Sequence, residues 1–379
     1  MRCFVWVMIG MLILSPSGYA EKNALNLKYC DELSIENTSD CNSISNGELV
    51  LFYGDKGIST SGMDTEELAD APWDEAFASC ISLDEKQTWT YTYNSNLPYG
   101  SASFKGAAIL EEQILLLKQV ADTYAEKTFY ITVLNHAGEF ISENALPAEF
   151  RPVDSCSASR MLLMAGYWFE QGLRYPALMA YGKDGEILWQ FVLKEHEELK
   201  PDRLNTYCRI ACDNECIWVQ WENEKSSIAL QQFSMNGTFL AERTFHPSRF
   251  YEDEILVCGE YVMVRGGEQH LAFVLYTFDP VINNWRILRT PLDESEYVCG
   301  VVQDGDAVRF ITSLNHRLCR IYTFDPASYT MKEENFAPSD VAVNISYAHI
   351  LQNGQLLLCG KTREDFNTGY PFISIWEQE

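Results

Sequence analysis

The stretch YCRIACDNEC, residues 207–216, sets three cysteines at C-x3-C-x3-C spacing: Cys208, Cys212 and Cys216. Thiolates grouped this way could hold a metal or form a disulfide. A structural zinc site draws on C-x2-C pairs with a second pair or histidines further along, and no such partner set follows. The spacing points instead to a disulfide between Cys212 and Cys216, which flank the turn residues Asp213, Asn214 and Glu215. A second polar cluster, KEHEELK at 194–200, sets His196 beside Glu195, Glu197 and Glu198. A zincin helix needs H-E-x-x-H, and the second histidine is absent, so a solvated loop is expected there. No G-x-S-x-G elbow, phosphate-binding loop or dinucleotide glycine pattern occurs. No catalytic residue, metal or cofactor is assigned.

Recognition chemistry is better represented. Arginines and histidines stand beside flat aromatics in several short segments that read as connections between strands. EFRP holds Phe150 and Arg151, and GYWFEQGLRYP holds Trp168, Phe169, Arg174 and Tyr175. HPSRFYEDE holds Arg249, Phe250 and Tyr251, VRGGEQHL holds Arg265 and His270, and NHRLC holds His316 and Arg317. Such residues are what surfaces for proteins, peptides or glycans tend to use. The candidate ligand-binding set is Arg151, Trp168, Arg174, Tyr175, Arg249, Tyr251, Arg265 and His270. The competing reading is that these are ordinary residues of a chain that is 13% aromatic.

Strands must carry these segments. Aromatic and β-branched residues are dense, turn residues recur at short intervals, and long helical periods are lacking. The one candidate helix, LEEQILLLKQV at 110–120, also fits a strand after a turn at Glu111 and Glu112. Pairs of alternating segments around a polar turn recur, as in FYITVLNHAGEFISEN, ALMAYGKDGEILWQFVL and ALQQFSMNGTFLAERTF. Two further strands precede each pair, giving four strands in about 47 residues, repeated seven times. The pentapeptide YTFDP, at 276–280 and again at 322–326, marks one repeat length by ending the third strand of two successive units. This pattern predicts an all-β chain: a seven-bladed β-propeller of four-stranded blades, with six blades as the alternative. The expected blades span 47–95, 100–145, 156–194, 205–246, 252–290, 296–337 and 343–379, within one domain over 21–379. The seventh unit runs out after three strands, so ALNLKYCDEL at 24–33 is expected to supply its outer strand and close the ring.

At ALMAYGKDGEILWQF the chain resembles propellers of the PQQ-like and WD40-like bacterial families, through Ala180, the Asp184-Gly185 turn and Trp189. The resemblance implies that the tryptophan docks on the next blade. It transfers no activity, because the dedicated quinone site of the cofactor-dependent members is not found. The same segment departs from the sialidase Asp-box, since Gly185 follows Asp184 directly.

The first residues, MRCFVWVMIGMLILSPSGYA, have the layout of a secretory leader over 1–20: Arg2, an apolar run from Cys3 to Leu14, Pro16, then small residues. The run is about a dozen residues against the roughly 20 that a spanning helix needs. An uncleaved anchor is therefore the weaker reading, and a secreted or cell-surface protein without membrane insertion is expected. A net charge of −26 argues against nucleic acid as a partner. Eleven cysteines remain beyond Cys3, an odd number, mostly within apolar runs that suit buried thiols. The tripeptides beginning at Asn37, Asn236 and Asn344 are glycosylation acceptors if the host glycosylates. The resulting functional expectation is a non-catalytic binding or scaffold module for a protein, peptide or glycan. Its rival is a propeller-type glycan hydrolase, lyase or lactonase with an axial site.

Overall fold

The computed structural model describes residues 26–32, 38–57, 74–84, 88–95, 100–121, 127–158, 160–194, 208–213, 215–222, 228–245, 255–258, 261–268, 271–279, 284–288, 296–304, 307–314, 318–325, 328–338, 343–351, 353–362 and 370–377. Among these, the regular elements are strands, apart from a three-residue 3-10 turn at Lys183–Gly185. After β1 (Asn26–Glu32), the strands follow one another in antiparallel meanders of four. The first meander is β2 (Thr38–Ser45), β3 (Leu49–Gly57), β4 (Asp74–Ser82) and β5 (Thr88–Tyr93). The second is β6 (Ser101–Ile109), β7 (Gln113–Ala121), β8 (Lys127–Asn135) and β9 (Phe140–Ala145). A single parallel bridge, Asp74 to Ser101, joins these two into one eight-stranded sheet. Separate four-stranded sheets follow: β10 (Phe150–Ala158) to β13 (Ile187–Val192), with β11 (Met161–Glu170) and β12 (Leu173–Tyr181) between; then β14 (Cys208–Cys212), β15 (Cys216–Glu222), β16 (Ile228–Ser234) and β17 (Phe239–Phe245). Next come β18 (Ile255–Cys258), β19 (Tyr261–Glu268), β20 (Leu271–Asp279) and β21 (Asn284–Leu288), then β22 (Glu296–Asp304), β23 (Ala307–Leu314), β24 (Leu318–Asp325) and β25 (Thr330–Pro338). The last sheet holds β26 (Val343–Ile350), β27 (Leu356–Thr362) and β28 (Pro371–Glu377), with β1 antiparallel to β28 in the fourth place.

The alternation of the strands explains why the sheets stack. On β11, Leu162 and Met164 meet Leu115, Leu117, Ile131 and Val133 of the preceding sheet. The intervening Leu163, Ala165 and Tyr167 point the other way, onto Ile210, Val219 and Trp221 of the following sheet. Each fully buried side chain of this size contributes about 1.5–3 kcal/mol. The same two-sided burial recurs along the chain, and Val50, Phe52 and Phe77 of the first sheet pack on Leu357, Cys359 and Ile373 of the last. The first strand of each meander lies beside the first strand of the next, and β26 lies beside β2. Crowding is tight there: a Cβ on Gly300 of β22 would run into the Ala348 carbonyl of β26. Radial stacking of four-stranded meanders by their first strands is a β-propeller.

Several elements differ from the pattern-based expectation. The segment at 110–120 is strand, with Leu110 N–H bonded to the Gln113 carbonyl (2.8 Å) across the Glu111–Glu112 turn. The polar sequence TSDCNSIS forms β2, ahead of residue 47. The Cys212–Cys216 disulfide does not form. Cys212 stands opposite Ile217 in the β14–β15 register, so the adjacent Cys216 points to the other face of the sheet, where its sulfur accepts from Gln232 Nε2 at 3.1 Å.

Polar locks join consecutive sheets. Trp189 Nε1 donates to the Met235 carbonyl at 3.1 Å, and its ring lies against Gly237 in the β16–β17 turn. The docking implied for this tryptophan is therefore present. Trp89 repeats it two interfaces earlier, between the first and second sheets, donating to the His136 carbonyl at 2.8 Å and covering Gly138. Both glycines have φ near +80°, which only glycine adopts cheaply. Between the second and third sheets the turn is held differently: Gln113 Nε2 donates to Asp184 Oδ1 and Gln113 Oε1 accepts the Asp184 N–H, both at 2.8 Å. Asp154 on β10 accepts the Ile210 N–H of β14 at 2.9 Å. Burial pushes its carboxyl above the usual range, partly offset by that amide.

Gly237→Ala adds positive-φ strain and a ring clash, and should cost about 2–3 kcal/mol in urea unfolding. In a Trp189→Ala background only the strain of about 1 kcal/mol remains. An equal cost in both backgrounds would contradict the lock. A second prediction concerns pH. The native state binds the Asp154 proton more tightly than the unfolded chain, so this group's contribution to stability falls as pH rises through the raised value. Asp154→Asn keeps an acceptor for Ile210, so its stability relative to the parent should improve as pH rises above the ordinary aspartate value of about 4. A pH-independent difference would refute this.

Candidate functional site

Each meander has two ends. One carries the connections from first to second strand and the third-to-fourth turns that lock onto neighbours. The other carries the second-to-third connections and the passages from each fourth strand to the next sheet. The described candidate residues gather at this second end.

In the third sheet the register sets Phe150 opposite Trp168 and Trp168 opposite Tyr175, with Arg151 opposite Tyr167 and Phe169 opposite Arg174. These positions were expected on loops, and the structure corrects that: all lie in β10, β11 and β12. The cause is the connection, a two-residue turn at Gln171 and Gly172 with φ of 53° and 80°, which lets both strands run through to the edge. Four of the eight candidate residues, Arg151, Trp168, Arg174 and Tyr175, are thus brought together. Arg174 and Tyr175 are buried rather than displayed, with the guanidinium 4.9 Å from the Tyr167 ring centre. Arg151 Nη1 donates to the Ala148 and Phe150 carbonyls at 2.7 and 3.3 Å. Phe169 is exposed at the rim, next to the Glu170–Lys194 ion pair at 2.6 Å. Arg265 lies in β19, opposite Leu275. Arg249, Tyr251 and His270 lie outside the described residues, as do Phe250, His316 and Arg317.

Three polar groups toward this end escaped sequence reasoning. Lys118 of β7, fully buried, bonds to Glu143 of β9, which also accepts from Thr132 at 2.9 Å. Its ammonium lies 3.3 Å from the Tyr93 ring centre, across the junction with the first sheet, and 4.9 Å from that of Tyr130. Burial lowers its pKa, with Glu143 opposing. In β22, the buried Glu296 accepts from Thr312, from Tyr322 at 3.2 Å and from Arg320 Nη1 at 3.3 Å. Tyr322 is the tyrosine of the second YTFDP. The third group is Asp55, Asp74 and Lys105. Lys105 Nζ lies 3.6 Å from Asp55 Oδ2, and Asp74 is raised by burial and by the Asp55 charge, against Lys105. For Lys118 the sequence signal is a charge inside an apolar run, ILLLKQV; Glu296, Asp55 and Asp74 stand beside other polar residues and carry no such mark. This end thus carries basic and aromatic groups on the third sheet and acidic ones on the first. Among the described residues, no group of histidine, cysteine or carboxylate side chains is placed to hold a metal ion. No described helix is long and apolar enough to cross a membrane.

No family model matches the chain, and no curated protein matches it in sequence. Among solved structures it is similar to the β-propeller domain of the Trilobed protease from Pyrococcus furiosus, with 14% identity, 91% of this chain and 96% of that one covered, and a TM-score of 0.52. It is also similar to a structure from a study of two prolyl endopeptidases, with 8% identity, 90% of this chain and 50% of that one covered, and a TM-score of 0.53. The chain spans about half of that second protein. The resemblance to PQQ-like and WD40-like families goes no further than the fold, because no family model supports it. The expectation of a non-catalytic binding or scaffold module, with a glycan hydrolase, lyase or lactonase as rival, is corrected by these neighbours, which come from peptidases. The chain has the β-propeller fold, and the two solved structures named above come from a protease and a study of prolyl endopeptidases.

Proposed function

We propose that this chain is the propeller part of a peptide-hydrolysing system, and that peptide meets it at the end carrying Arg151, Trp168, Phe169 and Arg174. The observation that carries the reading is the likeness to a protease propeller domain over nearly the full length of both chains. The sequence holds no G-x-S-x-G elbow, so in this reading an associated peptidase part supplies the nucleophile. The propeller orients peptide on the exposed aromatic face of Phe169, which the buried Arg174 and the backbone-bonded Arg151 support from behind. We further propose seven blades in a ring closed by β1, within an exported protein. The pairing of β1 with β28, the apolar packing of first sheet on last, and the contact of β26 with β2 support the ring.

Fluorescence anisotropy with short, free-ended peptides tests the assignment. Saturable binding is expected. Phe169→Ala, an exposed change with little effect on folding, should weaken it several-fold, and Arg174→Ala about tenfold, or 1.4 kcal/mol. Arg160→Ala, at the opposite end of the same sheet, should leave it unchanged. No saturable binding, or equal loss with Arg160→Ala, would overturn the proposal.

A further inference from the structure

Cys156 of β10 and Cys212 of β14 face each other across the junction of the third and fourth sheets, with sulfurs 3.4 Å apart. The placement is built by the backbone. Two residues earlier on each strand, Asp154 accepts the Ile210 N–H, which holds the two first strands in register. The pairs 154/210 and 156/212 keep the same 56-residue offset. Cys212 Sγ also lies 3.4 Å from the Ser157 carbonyl. Both cysteines are partly exposed, whereas Cys80, Cys208, Cys319 and Cys359 are buried. They lie toward the end opposite the candidate site.

We propose that Cys156 and Cys212 form a cross-linking site: a dithiol that a disulfide oxidant, of the class of oxidised glutathione, converts into a disulfide stapling the third sheet to the fourth. Cys212 attacks as thiolate on the oxidant's disulfide and expels one thiolate, leaving a mixed disulfide on Cys212. Cys156 loses its proton and attacks that sulfur, and the second thiolate leaves. The two cysteines give up two protons and two electrons, and the oxidant is reduced to two thiols. Donation of the Cys156 S–H to Cys212, together with burial, holds the Cys156 thiol protonated, which makes Cys212 the first nucleophile. The resulting bond adds a covalent tie to the side-chain packing and hydrogen bonds that join the two sheets, and it limits the freedom of the unfolded chain.

The full chain is reduced, exposed to oxidised glutathione, alkylated and mapped by mass spectrometry without reduction. The expected result is one linked peptide pair joining Cys156 to Cys212, lighter by two hydrogens than the free pair. Its Tm should rise by several degrees over the reduced protein, a rise absent in both Cys156→Ser and Cys212→Ser. Alkylation of both cysteines after oxidation overturns the proposal. So does linkage of Cys212 to Cys216, or an unchanged Tm rise in either serine variant.

Discussion

A sheet with two apolar faces must be covered on both, and this chain makes almost every sheet that way. β11 sends Leu162 and Met164 to one neighbour and Leu163, Ala165 and Tyr167 to the other. No meander here can be a terminal layer of a stack without leaving one such face in water. The demand is met by stacking the meanders through their first strands until Val50 and Phe52 of the first rest on Leu357 and Ile373 of the last. The positions of the strands, the crowding at Gly300 and the site-bearing end all follow from this mutual burial. The tryptophan locks add direction at two of the junctions: Trp89 and Trp189 each reach forward onto a left-handed glycine in a turn of the next sheet.

Polar groups at the junctions obey the same requirement in another form. A buried ammonium such as Lys118 is tolerable only because Glu143 and the Tyr93 and Tyr130 rings surround it. Glu296 is likewise held by Thr312, Arg320 and Tyr322. These groups lie toward the end where second strands pass to third strands, so the end proposed to meet peptide has a framework whose charges are already partnered. Phe169 at the rim is then presented by a strand rather than by a loop, with Arg151 and Arg174 held in the framework behind it, which favours a preorganised surface.

Much of this architecture is legible in sequence because its causes are local and periodic. The alternation of ALMAYGKDGEILWQFVL encodes two strands and their turn, YTFDP measures one repeat, and Trp189 announces its docking. Strand β2 is harder to see, since TSDCNSIS takes its place through backbone pairing with β3 rather than through apolar alternation. The connection at 166–176 reads as a loop because Gln171-Gly172 is a short turn signal hidden among aromatic residues. The partnership of Lys118 with Tyr93, and of Cys212 with Cys156, crosses between sheets, and no spacing rule within one repeat contains it. Sequence spacing alone favours the local pair Cys212–Cys216, and strand alternation forbids it.

The central claim is that mutual burial is completed by β1 pairing with β28. Hydrogen exchange of Phe372 to Glu377 tests it most directly, measured in the chain as it stands and in a variant whose β1 apolar positions Leu27 and Tyr29 are replaced by aspartate. The circuit predicts slow exchange in the parent and exchange faster by at least about tenfold in the variant, a loss of roughly 1.4 kcal/mol of local stability. Equal protection in both would show that β28 needs no partner from the N-terminal strand, and would contradict the closed ring.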